Sequence, residues 1–132
     1  MTRLYHTDGT LPANAEAVFV FGSNLAGNHL GGAAKVAVDK FGALDGWPRG
    51  AWGFSYAIPT LDEQFTRLPI KQIALDIAAF LTHAASEPGT KFFITRIGCG
   101  IAGFADSDIA PMFKSAPANC SFPLEWKPYV EC

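Results

Sequence analysis

Alternating blocks of apolar and polar residues predict strands and helices in turn along this chain. A continuous apolar run at 17–21, rich in β-branched and aromatic residues, indicates a strand buried on both faces. We assign two further strands, to 51–58 and to 91–97. A segment rich in Ala and Val at 32–41 predicts a helix between the first two strands.

The longest predicted helix covers 68–85. Pro69 suits its first turn. Apolar residues recur at the spacing of one helical face, namely Ile70, Ile73, Ala74, Ile77, Leu81 and Ala84. Four polar residues are predicted to lie away from this stripe: Lys71, Gln72, Asp76 and His83. A further helix is expected to begin at Asp106 or Ser107, either of which is a suitable N-cap.

The two ends of the chain carry weaker signals. Residues 1–16 are predicted to form an irregular lead-in with a turn at Asp8-Gly9. The tail holds prolines at positions 117, 123 and 128, so it adds a short strand or packs as coil.

The order of the elements predicts an α/β fold with a parallel or mixed sheet covered by helices on both faces. One domain, residues 1–132, is expected for a chain of this length. Ligands of such sheets bind beyond the carboxyl ends of the strands. Each of the three predicted strands ends in a distinctive loop, with the sequences GSNLAGNHLGG, PTLDEQ and GCGIAGF. The functional site is therefore predicted at this edge of the sheet.

Composition narrows the classes of function. Ten Lys and Arg residues and twelve Asp and Glu residues give a formal net charge of −2, with no basic block, which argues against a nucleic-acid partner. We see no secretion signal and no apolar segment long enough to span a bilayer, so no membrane partner is expected. The sparse cysteines Cys99, Cys120 and Cys132 fit a reducing cytoplasm better than a disulfide framework.

The first glycine-rich segment, residues 22–34, is the strongest chemical signal. Gly22 and Gly27 have the spacing of a phosphate-binding P-loop, but Asn28 and His29 stand where that loop needs Lys and Ser or Thr. The GxGxxG spacing of dinucleotide-binding folds is also absent. Two interpretations remain open: a tight turn that needs glycine for packing, or an anion cradle of backbone N–H groups at a helix N-terminus.

The same residues resemble a known family. VFVFGSN followed by LAGNHLGGAAKVA is similar to the strand, Asn-containing loop and first phosphate-side helix of the macro domain. ITRIGCGIAGF, residues 94–104, resembles the second phosphate loop of the macro-domain branch that removes ADP-ribose from carboxylate side chains. GFSYAIPT fits the family's central strand, and the pattern is similar to that of compact phage-type proteins. The resemblance covers residues 17–115.

The resemblance implies a three-layer α/β/α sandwich with a mixed, mostly parallel sheet and a cleft for ADP-ribose or a related nucleotide. Asn24 would lie near the distal ribose, with Gly31 and Gly32 along one side of the diphosphate. In the second glycine-rich segment, residues 98–104, the N–H groups of 98–102 would donate from the other side, and Phe104 would stack on or flank the ligand. The complete set of expected ligand-binding residues is Gly22, Ser23, Asn24, Gly27, Gly31, Gly32, Gly98, Cys99, Gly100, Ile101, Ala102, Gly103 and Phe104.

The chain departs from the carboxylate-deacylating branch at both of its catalytic positions. Ala102 stands where that branch has an acidic residue, and no lysine follows the strand that ends near Ile58. The family's larger members place an acidic or amide residue near the adenine amine, a role for which Asp8 and Glu16 are the candidates. Binding is therefore the first hypothesis.

Three alternatives stay open. In a hydrolase of ADP-ribosyl or phosphorylated nucleotide linkages, Asn24 would orient a ribose and Asp106, Asp62 or His29 would activate water. A nucleophilic Cys99 would need a lowered pKa and a neighbouring base. A non-catalytic interaction protein would use an exposed patch formed by Trp47, Trp52 and Trp126. We predict no metal, since the sequence lacks CxxC, HxH and HExxH spacings. No cofactor is predicted.

Overall fold

A computed structural model describes residues 3–14, 16–29 and 31–131 of the chain. Its strands are β1 (Leu4–His6), β2 (Val18–Asn24), β3 (Gly50–Trp52), β4 (Ser55–Leu61), β5 (Phe92–Ile94) and β6 (Cys120–Pro123). They form one sheet in the order β1-β6-β5-β2-β4-β3. All neighbours are parallel except the β3–β4 pair, which is antiparallel. The parallel strands therefore end at one edge of the sheet.

The helices are α1 (Gly32–Phe41), α2 (Ile70–Ser86), α3 (Asp106–Ile109) and α4 (Lys127–Val130). Short 3₁₀ segments, Ala110–Phe113 and Leu124–Trp126, precede β6 and α4. Among the described residues, no helix combines the length and the apolar character needed to cross a membrane.

Two apolar cores lie on opposite faces of the sheet. On one face, Phe19, Phe21 and Phe93 of the sheet pack with Ala37 and Phe41 of α1. On the other face, β-strand residues pack against α2 and the C-terminal helices in a larger core that includes Ile73, Ile77, Phe80, Phe113, Phe122 and Trp126. The predicted α/β fold, a three-layer sandwich with a mixed, mostly parallel sheet, is confirmed.

The first predicted helix is confirmed at 32–41, and the predicted strand at 51–58 is corrected. Gly53 and Phe54 form a turn that splits it into the antiparallel strands β3 and β4. Gly53 has φ +59°, and a Cβ there would lie 2.9 Å from the carbonyl oxygen of Gly42. Close approach of the turn to the end of α1 therefore requires glycine.

The N-terminal lead-in and the apolar stripe of α2 are also corrected. Residues 4–6 form β1, which pairs in parallel with β6. Asp76, predicted to lie away from the buried stripe, is 8% exposed because its carboxylate pairs with the Arg49 guanidinium at 2.7 Å. Ile70, predicted to lie within the stripe, is 40% exposed. Cys132 lies outside the described residues.

Candidate functional site

A cleft of about 1010 Å³ opens beyond the carboxyl ends of β1, β2, β4 and β5. Its walls come from segments after β1 (8–11), at the end of β2 (22–24), at the start of α1 (31–34), after β4 (60–65) and after β5 (95–102). The two glycine-rich segments and the loop after β4 thus meet, as the sheet topology predicts for a ligand site.

Asn24 fixes the shape of the first glycine-rich segment. Its Nδ2 donates to the carbonyl of Asn28 at 2.8 Å, and its Oδ1 accepts from the Asn28 N–H at 3.1 Å. Gly27 has φ +70°, and a Cβ there would lie 2.7 Å from the backbone of Gly46. Gly27 does not line the cleft. Close packing of the loop therefore requires this glycine, and its expected contact with ligand stays a prediction.

The N-terminus of α1 forms one side of the cleft. Gly31 is the N-cap in an extended conformation, with φ −151° and no side-chain cap, and no acidic residue occupies the first turn. The first N–H groups of a helix have no partner within the helix. Gly31, Gly32, Ala33 and Ala34 all line the cleft. Among the described residues, the positive end of the α1 dipole therefore has no side-chain cap hydrogen bond.

The second glycine-rich segment lies directly beside the end of β2. A Cβ on Gly22 would be 3.5 Å from the Gly98 nitrogen, so the two segments are in close backbone proximity. Within the described parts of the chain, the N–H groups of Gly100, Ile101 and Ala102 donate to no carbonyl or side chain. The side chain of Ile101 is 84% exposed. These N–H groups are available to an anion.

Arg67 braces the second glycine-rich segment from the loop after β4. Its Nε donates to the Ala102 carbonyl at 3.1 Å and its Nη2 to the Gly103 carbonyl at 2.9 Å. Its guanidinium lies 3.8 Å from the centroid of the Phe104 ring. Phe104 is 9% exposed and does not line the cleft, and neither does Gly103. In this structure the two residues support the cleft from behind, and their expected contacts with ligand stay a prediction.

Phe65 is the aromatic side chain that sequence reasoning missed. It lines the cleft, is 52% exposed and has φ +63°. A left-handed backbone is rare for a bulky residue, so no sequence signal pointed to this conformation.

Arg96 and Asp106 form a fork-like ion pair beside the cleft. The two carboxylate oxygens of Asp106 accept from Arg96 at 3.1 and 2.8 Å, and Trp126 Nε1 donates to the same carboxylate at 2.7 Å. Burial favours a higher pKa for Asp106, but the hydrogen bonds from Arg96 and Trp126 outweigh it and hold the pKa below its usual value. Asp106 does not line the cleft, which disfavours its expected role of activating water.

Two further candidate bases are held in other contacts. The Asp62 carboxylate accepts from the N–H groups of Gln64 and Thr66, both at 2.9 Å. His29 is 2% exposed and does not line the cleft. Its Nε2 lies 3.2 Å from the Trp47 carbonyl, and its Nδ1 has no hydrogen-bond partner among the described residues. Neither side chain is placed to activate water in the cleft.

Cys99 lines the cleft, but its thiol is not activated. Desolvation by burial, followed by its hydrogen bond with Asp106, raises its pKa to about 12. The lowered pKa that the alternative of a nucleophilic Cys99 needs is therefore not found. The histidine rings pack against other aromatic rings, His6 against Phe93, His29 against Phe21, and His83 against Tyr56 and Phe92.

The end of the cleft near β1 is formed by His6 and Asp8. The His6 ring stacks on Phe93 with 3.7 Å between centroids, and desolvation lowers its pKa. Asp8 Oδ2 lies 3.5 Å from Arg96 Nη1. Glu16, the other candidate for contact with the adenine amine, does not line the cleft, whereas Asp8 does.

The predicted patch of three tryptophans is corrected. Trp126 is fully buried, while Trp47 and Trp52 are 40% and 43% exposed and lie 4.8 Å apart by their ring centroids. In the described ranges, no group of three or more His, Cys, Asp or Glu side chains is placed to hold a metal ion.

Comparison of the sequence with protein-family models and with curated proteins gave no match.

Proposed function

We propose that the cleft binds ADP-ribose or a related nucleotide-derived ligand through the backbone N–H groups of the two glycine-rich segments. The observation that carries this proposal is the meeting of these segments, with the uncapped N-terminus of α1 lining the same cleft as the N–H groups of residues 100–102. Helix N-termini and clusters of free N–H groups bind phosphate without a lysine or an arginine.

The charges around the cleft support backbone recognition. Among the described residues that line it, Arg96 is the one Lys or Arg, and its guanidinium is already paired with Asp106 and Asp8. A diphosphate would therefore depend on N–H groups for most of its stabilisation. This arrangement also agrees with a chain whose net charge is −2.

The width of the cleft supports an elongated ligand with two different ends. Four strand spacings separate β1 from β4 in the sheet order, which corresponds to roughly 19 Å at about 4.8 Å per spacing. Asp8 lies at the β1 end, where a carboxylate would accept from an adenine amine. Asn24 pairs with Leu61 near the β4 end, where a second hydrogen of its Nδ2 would donate to a ribose hydroxyl.

We restrict the proposal to binding. The three candidates for water activation, Asp106, Asp62 and His29, are held in hydrogen bonds that shape the protein, and Ala102 supplies no acid. The proposed ligand is a small molecule rather than a nucleic acid or a membrane. The proposed location is the cytoplasm, since the sparse cysteines fit a reducing compartment.

Calorimetric titration with ADP-ribose, ADP, AMP and NAD tests the proposal. Gly31→Glu places a carboxylate at the N-terminus of α1, and Gly89→Glu is its matched control outside the cleft. Neither glycine has a positive φ, and a Cβ at either position meets no atom within 4 Å, so both variants should fold.

We expect wild type and Gly89→Glu to bind ADP-ribose with micromolar affinity and Gly31→Glu to lose binding. Absence of heat with every ligand on folded protein would reject the proposal. That result would leave the interaction hypothesis, to which the exposed Trp47–Trp52 pair belongs.

A further inference from the structure

Phe65 is an exposed aromatic residue held in a conformation that such residues rarely adopt. Its φ is +63°, its side chain is 52% exposed, and it lines the cleft. A bulky residue in the left-handed region is strained, and such strain persists where the surrounding structure maintains it and where a function uses it. Because half of the side chain is exposed, packing in the core does not account for an aromatic residue at this position.

The loop after β4 holds Phe65 through a compact network. Asp62 closes the loop through both its backbone and its side chain. Its N–H donates to the Thr66 carbonyl at 2.8 Å, and its Oδ1 accepts from the N–H groups of Gln64 and Thr66, both at 2.9 Å. The Phe65 N–H donates to the Asp62 carbonyl at 3.1 Å, and Leu61 forms a β-bridge with Arg67. The backbone that carries the ring is therefore held by several hydrogen bonds, and an ordered support favours use of the ring as a contact surface.

The position of Phe65 along the cleft specifies which part of a ligand it would meet. The loop follows β4, whereas His6 and Asp8 belong to the β1 end, four strand spacings away. Asn24 is adjacent to this loop because it pairs with Leu61 in the sheet. Phe65 thus lies at the end of the cleft remote from Asp8.

We propose that Phe65 is a specificity-determining residue that packs on the distal ribose, so that the cleft distinguishes ADP-ribose from ADP. This inference rests on the proposed function. An aromatic face suits the C–H surface of a sugar, while Asn24 and nearby N–H groups serve its hydroxyls. ADP ends at the diphosphate and has no group to cover the ring.

Phe65→Ala and the matched control Phe54→Ala test this role. Phe54 is 50% exposed in the β3–β4 turn, at the opposite end of β4, and does not line the cleft. Each variant is titrated with ADP-ribose and with ADP. We expect Phe65→Ala to weaken ADP-ribose binding about three- to tenfold and to leave ADP binding unchanged, with Phe54→Ala matching wild type for both ligands.

Phe65→Gly distinguishes the contribution of the ring to binding from any effect of the substitution on the stability of the loop. Glycine accepts a positive φ without steric cost, so this variant should keep the melting temperature of wild type while losing the same preference for ADP-ribose. If the Phe65 variants lose affinity equally for ADP-ribose and ADP, or lose none, the role of Phe65 is overturned while the proposed function stays intact. Failure of wild type to bind either ligand would overturn both.

Discussion

The guanidinium of Arg67 stacks over the ring of Phe104, with 3.8 Å between its Cζ atom and the ring centroid. The same side chain donates to the carbonyls of Ala102 and Gly103. One residue of the loop after β4 thus fixes the second glycine-rich segment, although the two are more than thirty positions apart in sequence. The shape of this side of the cleft depends on that brace.

Arg67→Ala should loosen the second glycine-rich segment. Loss of an exposed cation–π contact and two charge-assisted hydrogen bonds should lower the free energy of unfolding by about 1–2 kcal/mol. ADP-ribose affinity should fall as well, because the N–H groups of residues 100–102 would no longer be held in place. Denaturant unfolding and calorimetric titration measure the two effects.

Lys71→Ala, which removes an exposed cation of α2, is the control, and equal behaviour of the two variants would contradict the role of Arg67.

Asp106→Asn should destabilise the protein in a pH-dependent manner. Charged hydrogen bonds of this kind contribute about 1–3 kcal/mol. Because the folded pKa of Asp106 is lowered, its contribution is fully present above the unfolded pKa, about 3.9, and is lost as pH falls through the folded pKa. The difference in unfolding free energy between wild type and Asp106→Asn should therefore shrink between pH 7 and pH 3.

Asp39→Asn is the matched control for that series. Asp39 pairs with Lys35 at 2.6 Å, but both side chains are more than half exposed, so the pair should contribute less than about 1 kcal/mol. If the difference in unfolding free energy between wild type and Asp106→Asn stays constant or grows on acidification, the lowered pKa of Asp106 is contradicted.

Cys99 should react slowly with alkylating agents. Its pKa is raised from 9.0 to about 12, which lowers the thiolate fraction at pH 8 by about three orders of magnitude. Greater intrinsic nucleophilicity recovers part of this loss, so alkylation should be roughly tens of times slower than that of an unstructured cysteine peptide. Peptide mapping by mass spectrometry measures the rate at Cys99. A rate equal to that of the peptide would contradict the environment described for this thiol.

Gly98→Ala should cost more stability than Gly103→Ala. Both glycines have positive φ, +79° and +74°, so both substitutions introduce the same kind of backbone strain. A Cβ on Gly98 would also lie 3.3 Å from Phe104 and Ile109, whereas one on Gly103 meets no atom within 4 Å. Crowding of a packed site should add about 1–2 kcal/mol to the loss, measured by denaturant unfolding. Equal losses would show that this site is not tightly packed.

The sequence predicted the features that depend on local pattern. The helix at 32–41 was recognisable from its composition and from Gly42, which ends it with φ +73°. The alternation of strands and helices predicted that the loops at the strand ends meet at one edge of the sheet. Residues of these loops do line one cleft.

Long-range contacts were not predictable from that pattern. β1 has three residues and depends on β6, more than a hundred positions later, for its pairing. Phe104 was expected to contact ligand, but it belongs to a buried apolar cluster, and Arg67 from another loop lies over its ring. Phe65 carries no helical or strand pattern, and its positive φ occurs within the loop that the Asp62 hydrogen bonds close. Asp76 was predicted to lie away from the buried stripe because its partner, Arg49, comes from a segment that is distant in sequence.

The most direct test of the proposed ligand site is a ¹H–¹⁵N correlation spectrum of the protein recorded during titration with ADP-ribose. Backbone binding of the diphosphate predicts the largest shifts at the amides of 31–34 and 98–102, with little change at the exposed Trp47–Trp52 pair. Saturable shifts confined to other surfaces, or no shifts at millimolar ligand, would contradict the account.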